Sequence, residues 1–317
     1  MYPSRLVKCL VIVSFSTAFV AALGCSFLQP PSSNVRSSKG VPNEDRSGRV
    51  EYRGTDNVIQ SFRFPSGNAP ILIELDILKR KYNFVIDTGS NSSVYDKSFL
   101  PLLGDPVRFE AASTTNGQIR VPLYRSLGGK IGPILLDKDR YATCMDLSRF
   151  SSAVRRRIDG IIGNDFLKEY VFKIDFASND FSFLKAIEND AGHKIDVVLR
   201  KDCPYVRVKL PGMRDEELFL VDLGCLDYGM LQSKVFQNLM DRGFVERTES
   251  QSREAAGGPV RVSSGILDEF SVDIFTHKKM VFREAKMNIL GLKFWSMYNV
   301  TFDFPHNAIY LKRKAGK

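Results

Sequence analysis

The sequence predicts an all-β protein made of two related halves, residues 58–190 and 191–317. Short runs rich in β-branched and aromatic residues alternate with turns containing Gly, Pro or Asn, which is the pattern of strands. In two places an apolar run leads directly into an aspartate turn that contains a glycine, at Asp87 and at Asp222. A third observation is an internal repeat, in which the landmarks that follow residue 160 in the first half return 128 positions later.

Residues 1–24 have the pattern of a secretory signal peptide. Arg5 and Lys8 give a positively charged start, and residues 9–23 carry no charge and are mostly apolar. An apolar stretch of about 15 residues is short for a membrane-spanning helix. The sequence therefore predicts export, either to a bacterial cell envelope or as a secreted protein.

The end of this segment, Ala22-Leu23-Gly24-Cys25, resembles a bacterial lipobox, in which the cysteine becomes lipidated. Ala22 stands where leucine is usual, so ordinary secretion is the alternative to a periplasm-facing lipid anchor at Cys25. Residues 25–57 are rich in Ser, Pro, Asn and charge, and such a composition buries too little apolar surface to offset ordering entropy. We expect a flexible tether with a root-mean-square span of about 30 Å.

The two halves agree in two separate stretches. Each opens with two short strands joined by a polar turn, and the second strand ends on the aspartate. Further along, Gly160-Ile161-Ile162-Gly163 corresponds to Asn288-Ile289-Leu290-Gly291. Asp175 and Asp303 also correspond; they end repeated strands, and we interpret them as structural residues.

Between these landmarks each half has a polar stretch containing glycine. In the first half this stretch includes Asn116-Gly117, and Asn-Gly between strands is a strong signal for a hairpin turn. The second half has a similar stretch at residues 255–259. Short helices are predicted at residues 148–157 and 233–242.

Asp87-Thr88-Gly89-Ser90 after an apolar strand, with Ile161-Ile162-Gly163 downstream, resembles the active-site signature of aspartic proteases. The turn alone is a weak motif, whereas the turn, the later glycine strand and a second copy of both are specific together. The resemblance covers about 260 residues. It implies two related acid-protease-like β-barrel lobes with a cleft between them, closer to two fused retropepsin-like domains than to pepsin.

The resemblance implies an endopeptidase in which Asp87 and Asp222 activate water for hydrolysis of a peptide bond. Two carboxyl groups held close share one proton, so one can accept a proton from water while the other donates to the scissile carbonyl. The residues that would shape the two turns are Thr88, Gly89 and Ser90 in the first half and Gly224 in the second.

The same resemblance implies a flap at Asn116-Gly117, a hairpin that closes over the substrate. The substrate would be an extended peptide or protein lying in the cleft. Neither a cofactor nor a metal is expected, because the two aspartates activate water without one. Since one chain supplies both aspartates, we expect a monomer.

The second turn departs from the family's pattern at Leu223, where Thr or Ser is usual. Each hydroxyl normally bonds the backbone of the opposite turn, and a lost bond of this kind costs about 1 kcal/mol. Thr88 can make the bond and Leu223 cannot. The alternative function is therefore a catalytically impaired relative that binds an extended peptide. A structural envelope lipoprotein without a ligand is less favoured, because both aspartates are retained.

The charge pattern argues against nucleic-acid binding. The net charge is +9, with basic runs at Arg155-Arg156-Arg157 and Lys312-Arg313-Lys314, but neither run carries interleaved aromatic residues or a DNA-binding motif. We expect a solvated basic surface that weakly favours anionic membranes. The three histidines are scattered along the chain and are expected at the surface: His193, His277 and His306.

Cys144, Cys203 and Cys225 lie in the part of the chain that is expected to fold. They show no metal-ligand spacing. A hairpin turning near residues 211–216 would bring Cys203 close to Cys225, which allows either a disulfide or two buried thiols.

Overall fold

The structure is a computed structural model that describes residues 10–12, 57–66, 69–114, 117–248, 251–255 and 258–314. Strands dominate these residues, and the predicted all-β class is confirmed. Of the predicted signal peptide only residues 10–12 are described. Cys25, the predicted tether before residue 57, and Asn116 lie outside the described residues.

Of the strands in the described residues, thirteen lie before residue 185 and thirteen after it. The first set is β1 (Leu10–Ile12), β2 (Val58–Arg63), β3 (Leu72–Ile77), β4 (Arg80–Ile86), β5 (Val94–Asp96), β6 (Arg108–Thr114), β7 (Gly117–Arg125), β8 (Gly129–Ile131), β9 (Ile134–Leu136), β10 (Tyr141–Met145), β11 (Gly160–Ile162), β12 (Val171–Asp175) and β13 (Asp180–Leu184). The second set is β14 (His193–Asp196), β15 (Val198–Arg200), β16 (Cys203–Val208), β17 (Glu217–Asp222), β18 (Gly229–Gln232), β19 (Val245–Arg247), β20 (Gln251–Ala255), β21 (Gly258–Val262), β22 (Ser264–Val272), β23 (Phe275–Ala285), β24 (Ile289–Gly291), β25 (Tyr298–Asp303) and β26 (Ala308–Arg313).

The helices among the described residues are short. They are α1 (Leu100–Leu103), α2 (Ser148–Val154), α3 (Asn164–Leu167), α4 (Ser233–Asp241) and α5 (Leu292–Trp295). The helices predicted near residues 148 and 233 are α2 and α4. The pair α3 and α5 follows the two glycine strands at the spacing of the repeat.

Each half builds a sheet around its own aspartate. The first half together with β1 forms a ten-stranded sheet in the order β1-β6-β7-β10-β5-β11-β4-β3-β8-β9, and the second half forms an eight-stranded sheet in the order β15-β16-β17-β24-β18-β23-β22-β19. In both sheets the strand that leads to the aspartate lies parallel to the glycine strand, β4 beside β11 and β17 beside β24. The repeated sequence therefore forms a repeated local arrangement.

A third sheet of six strands contains strands from both halves, in the order β14-β26-β25-β12-β13-β2. Its two middle strands, β12 and β25, are copies of each other in the repeat and pair antiparallel, with Val171 opposite Asp303 and Ile174 opposite Val300. The neighbouring strands β13 and β26 also correspond. The sheet therefore has an approximate two-fold axis between its middle strands.

One large hydrophobic cluster runs through both halves. Phenylalanine fills much of it where the halves meet: the rings of Phe172 on β12 and Phe302 on β25 stack with centroids 4.7 Å apart. Both side chains are fully buried, and burial of such a side chain contributes about 1.5–3 kcal/mol. The core thus holds the two halves together as well as stabilising each.

The N-terminal strand β1 pairs parallel with β6, with Leu10 opposite Ala112. It occupies the outer edge of the ten-stranded sheet. No helix in the described part of the chain is long and apolar enough to cross a membrane.

The prediction that all three histidines lie at the surface is wrong for His277. Its side chain occupies an inward-facing position of β23, two residues after the buried Phe275, as the alternation of a strand requires. The imidazole stacks on Phe270 with centroids 5.0 Å apart, and Nε2 lies 3.1 Å from the Tyr298 hydroxyl. Burial lowers the pKa of His277 to about 4.

Candidate active site

The structure brings Asp87 and Asp222 together with both side chains fully buried. Asp87 directly follows β4, and Asp222 is the last residue of β17. A Cβ atom added at Gly89 would lie 2.6 Å from Cγ of Asp222, and one added at Gly224 would lie 2.6 Å from Cγ of Asp87. Each glycine therefore lies against the opposite carboxyl group, and neither position has room for a side chain.

The two glycine strands pack against the chain segments that follow the aspartate turns. A Cβ at Gly163 would lie 2.7 Å from the carbonyl carbon of Ser92, and one at Gly291 would collide with the carbonyl oxygen of Asp227. In both halves the missing side chain lets the strand pack directly on the chain that leaves the aspartate turn. This close packing explains why the sequence repeats both the aspartate turn and the glycine strand.

Each carboxyl group is fixed through one oxygen. The backbone N–H of Gly89 donates to Oδ1 of Asp87 at 2.8 Å, and those of Gly224 and Cys225 donate to Oδ1 of Asp222, both at 2.9 Å. The two Oδ2 atoms are buried and accept no hydrogen bond from the described residues. Because two ionised carboxylates are acceptors only, one shared proton would give both oxygens a partner.

Burial raises the pKa of both aspartates. The pKa of Asp87 is raised to about 6, chiefly by burial and against the opposing hydrogen bond from Gly89. The pKa of Asp222 is raised well above its ordinary value, first by burial and then by the negative charge of Asp87. Two carboxyl groups this close lose their protons in separate steps, so the pair holds a single proton over an interval of pH.

Thr88 links the two turns as the sequence predicts. Its fully buried hydroxyl donates to the carbonyl oxygen of Val221 at 2.8 Å and accepts from the N–H of Leu223 at 3.1 Å. Leu223 has no hydroxyl to return the contact, and its side chain is buried in the main hydrophobic cluster. The hydroxyl-mediated link is therefore made from one side.

Asn164 is a residue of the site that the sequence reasoning missed. It begins α3, is 1% exposed, and its Nδ2 donates to the carbonyl oxygen of Thr88 at 2.5 Å. The corresponding residue of the second half is Leu292, which is also buried. The second half thus has leucine at two positions around its aspartate turn, 223 and 292. The first half has Thr88 and Asn164 at the corresponding positions. Comparing the halves one position beyond the glycine strands would have revealed this second difference.

Cys144, Cys203 and Cys225 are free, so of the two alternatives for Cys203 and Cys225 the structure has buried thiols. Sγ of Cys203 lies 3.8 Å from the carbonyl oxygen of Gly89, and burial raises the pKa of this thiol to about 12. Cys203 therefore packs, uncharged, beside the first turn. It lies 114 positions from Gly89 in the chain, and no local pattern connects the two residues.

A polar cavity of about 320 Å³ opens next to the first turn, since Asn91 and Ser92 line it directly after the turn. Two ion pairs lie in its wall, Arg140 with Glu169 at 2.6 Å and Lys168 with Asp202 at 3.2 Å. The remaining lining residues are Arg108, Glu110, Val121, Leu123, Tyr141, Thr143 and Asp165. The lining is polar and its charges are mostly compensated.

A hairpin, β6 and β7, supplies part of the wall of this cavity. Its last described pair is Thr114 opposite Gly117, so a hairpin turns where the sequence predicts it, while Asn116 lies outside the described residues. Arg108 and Leu123 near its base also line the cavity. The second half has a hairpin at the corresponding place, β20 and β21.

Within the described ranges no three His, Cys, Asp or Glu side chains form a group that could hold a metal ion. No protein-family model matches the chain, and no curated protein matches it in sequence. The function is therefore inferred from the site itself.

Proposed function

We propose that the protein is an aspartic endopeptidase with two retropepsin-like lobes, and that water activated between Asp87 and Asp222 hydrolyses the peptide bond. The observation that carries this proposal is the pair of fully buried carboxyl groups, each lying against the glycine of the opposite turn. The two separate sheets would form the lobes, with the substrate cleft between them above the aspartates.

The proposed reaction starts from the pair with one proton. The ionised carboxylate accepts a proton from water, and the water oxygen attacks the peptide carbonyl carbon. The protonated carboxyl group donates its proton to the carbonyl oxygen, which gives a neutral gem-diol. When the C–N bond breaks, the carboxyl group that took its proton from water donates it to the departing nitrogen. The other carboxylate takes a proton back from a gem-diol hydroxyl, which restores the pair with one proton. The aspartates thereby exchange protons with the substrate and form no covalent bond to it.

The hydrogen bonds at the site suit this chemistry. Backbone N–H groups hold the two Oδ1 atoms, which leaves the two Oδ2 atoms for water and substrate. The hydroxyl of Thr88 fixes the distance between the turns, so the carboxyl groups stay in register. Such preorganisation lowers the cost of reaching the transition state.

The substrate would be an extended peptide lying beneath the hairpin formed by β6 and β7. The polar cavity beside the first turn would accept one of its side chains. A peptide in this position could add backbone hydrogen bonds as a further strand.

The test is cleavage of a peptide library by the purified protein between about pH 4 and pH 8. Asp87→Asn and Asp222→Asn should each abolish cleavage, because either change removes one half of the proton exchange. Pepstatin-type inhibitors should protect the substrate. Asp175→Asn is the matched control, since this aspartate only accepts the N–H groups of Ala177 and Ser178 at a strand end. Undiminished cleavage by Asp87→Asn would refute the proposal.

The second candidate is a non-catalytic protein that binds an extended peptide in the same cleft. Leu223 and Leu292 favour this candidate, because the first half has polar residues at the corresponding positions. The Thr88 hydroxyl bonds the second turn, and the Asn164 amide bonds the first. A wild-type protein that binds a peptide or pepstatin in calorimetry but cleaves no member of the library would establish this candidate instead.

We also propose that the protein is exported and acts as a monomer in the bacterial cell envelope, anchored through Cys25 and facing the periplasm, or that it is secreted. The N-terminal sequence supports export. Metabolic labelling with a palmitate analogue would separate the two fates: a label that Cys25→Ser removes indicates an anchor, and an unlabelled protein in the medium indicates secretion.

A further inference from the structure

We propose that the end of the first sheet farthest from the aspartates is a docking surface for an anionic phospholipid membrane. We call this surface the basic end and define it as residues 78–81, 100–102 and 155–157. Membrane docking at the basic end does not depend on the proposed proteolytic activity.

The basic end lies well away from the candidate active site. β4 starts at Arg80, within the basic end, and its last residue directly precedes Asp87. At about 3.3 Å per residue the strand separates the two regions by about 20 Å. A membrane at the basic end would therefore leave the aspartates and their hairpin open to solvent.

The turn between β3 and β4 has an unusual composition. Leu78 and Lys79 both have positive φ, 51° and 65°, in a two-residue hairpin turn. Asn-Gly is the favoured sequence for such a turn, and a bulky residue like leucine is disfavoured there. Leu78 is 66% exposed, so its side chain adds little to the core. A strained, exposed leucine at a hairpin tip points to a contact outside the folded chain.

The basic end carries six cations. Two of them are paired, Lys81 with Glu74 at 2.8 Å and Arg157 with Asp159 at 2.6 Å. The exposed cations of the basic end that form no ion pair with a described residue are Lys79, Arg80, Arg155 and Arg156. Glu74, Asp76 and Asp159 are the acids next to these cations, and with all three counted the surface keeps an excess of positive charge.

The same surface has a cavity and further apolar side chains. Arg80, Lys81 and Arg157 line a cavity of about 570 Å³, which is large enough for a phosphate headgroup. Leu102 of α1 also lines this cavity and is 49% exposed, and Leu100 in the same helix is 43% exposed. Exposed leucines among cations are the composition that binds a bilayer interface, because the apolar groups enter the acyl boundary while the cations meet anionic headgroups. A free phosphate ion or a nucleic acid would not need the leucines.

The first test is partition of the full chain onto vesicles of phosphatidylcholine with about 30% phosphatidylglycerol, compared with vesicles of phosphatidylcholine alone. The triple variant Arg80→Gln, Arg155→Gln, Arg156→Gln should bind the anionic vesicles at least tenfold more weakly, since one cation near the surface is worth about a fivefold change. The matched control removes three exposed cations of the second half: Lys201→Gln, Lys234→Gln and Lys286→Gln. Residues 9–23 are common to all three proteins, so their contribution cancels.

If the triple variant and its control lose binding to anionic vesicles equally, the proposal is overturned, because only the net charge of the protein would then matter. Equal binding of the wild type to neutral and anionic vesicles would overturn it as well. Binding that is reduced only in the triple variant supports the docking surface.

The second test concerns the hairpin tip. Leu78→Asn combined with Lys79→Gly gives the turn its favoured residues, so the variant should melt at the same temperature as the wild type or higher while binding anionic vesicles more weakly. Leu78→Trp adds a reporter, because the single native tryptophan, Trp295, is fully buried. Quenching of the added indole by brominated acyl chains is expected. An indole that remains unquenched while the protein is bound would contradict insertion of the tip.

Discussion

At the scale of single residues, the hydroxyl of Thr88 is the contact that ties the two aspartate turns together. The hydroxyl donates to the carbonyl oxygen of Val221 and accepts from the N–H of Leu223, and all three residues are fully buried. A buried polar group that loses its partner costs more than the net value of the bond it made. The turn geometry should therefore be sensitive to this one atom.

We predict that Thr88→Val lowers the free energy of unfolding by about 2–4 kcal/mol, because it leaves a buried carbonyl and a buried N–H without partners while keeping the side-chain shape. Urea unfolding measures the loss. Thr88→Ser keeps the hydroxyl and should retain most of the stability and the peptide cleavage. Wild-type stability in Thr88→Val would mean that the turns are held by other contacts.

For Leu223 the burial of the side chain predicts the opposite effect to the one that its missing hydroxyl suggests. From the turn pattern alone, Leu223→Thr should stabilise the protein by restoring a hydrogen bond. Leu223 is, however, fully buried in the main hydrophobic cluster. We predict that Leu223→Thr lowers the free energy of unfolding by about 2–4 kcal/mol through lost packing and a buried hydroxyl.

The double variant Leu223→Thr, Leu292→Asn tests whether the two positions act together, as Thr88 and Asn164 do. Its destabilisation in urea should be about 1 kcal/mol smaller than the sum of the two single variants. Strict additivity would show that the leucines are independent.

At the scale of elements, β23 carries a titrating group inside the core. The pKa of His277 is lowered from an ordinary value of 6.5 to about 4. Between these two pH values the unfolded chain binds a proton at His277 and the folded protein does not. The stability from neutral His277 is complete above pH 6.5 and is lost as the pH falls through about 4.

We predict that His277→Phe reduces the loss of stability between pH 7 and pH 4 by about 2 kcal/mol, after allowing for solvent screening. Urea unfolding at both pH values measures it. Tyr298→Phe is the matched control, since it removes the same hydrogen bond and leaves the imidazole in place. If both variants change the pH dependence equally, the hydrogen bond and not the buried imidazole is responsible.

The sequence predicts which strands and turns form the site, but it does not predict the tertiary contacts that these elements make. The aspartate strands, the glycine strands and the Asn116-Gly117 hairpin follow from residue patterns that are local in the chain. Asn164 and Cys203 could not be found this way, because their contacts with the first turn depend on tertiary packing. The six-stranded sheet was not predicted for the same reason: local alternation does not say that β12 pairs with β25.

At the scale of the whole molecule, the two aspartates set the pH at which the proposed reaction runs. With the pKa of Asp87 raised to about 6, both carboxyl groups are protonated well below that pH and no base is available. The single-proton state forms as the pH rises through this value and ends when the second proton leaves.

We predict a bell-shaped profile of kcat/KM whose acidic limb lies near pH 6, so that activity is greatest near neutral pH. Initial rates on one peptide from about pH 4 to pH 9 measure the profile. Full activity at pH 4 would contradict the raised pKa of the pair.

The six-stranded sheet has a consequence for a chain that is cut in two. β13 ends at Leu184 and β14 begins at His193, and the segment between them links the two halves. A nick there leaves β12 paired with β25 and the shared phenylalanine core intact, so the fragments should remain one particle. Made as two separate polypeptides, neither piece could complete the sheet alone. Mixing them would rebuild the sheet and, with it, the meeting of Asp87 and Asp222.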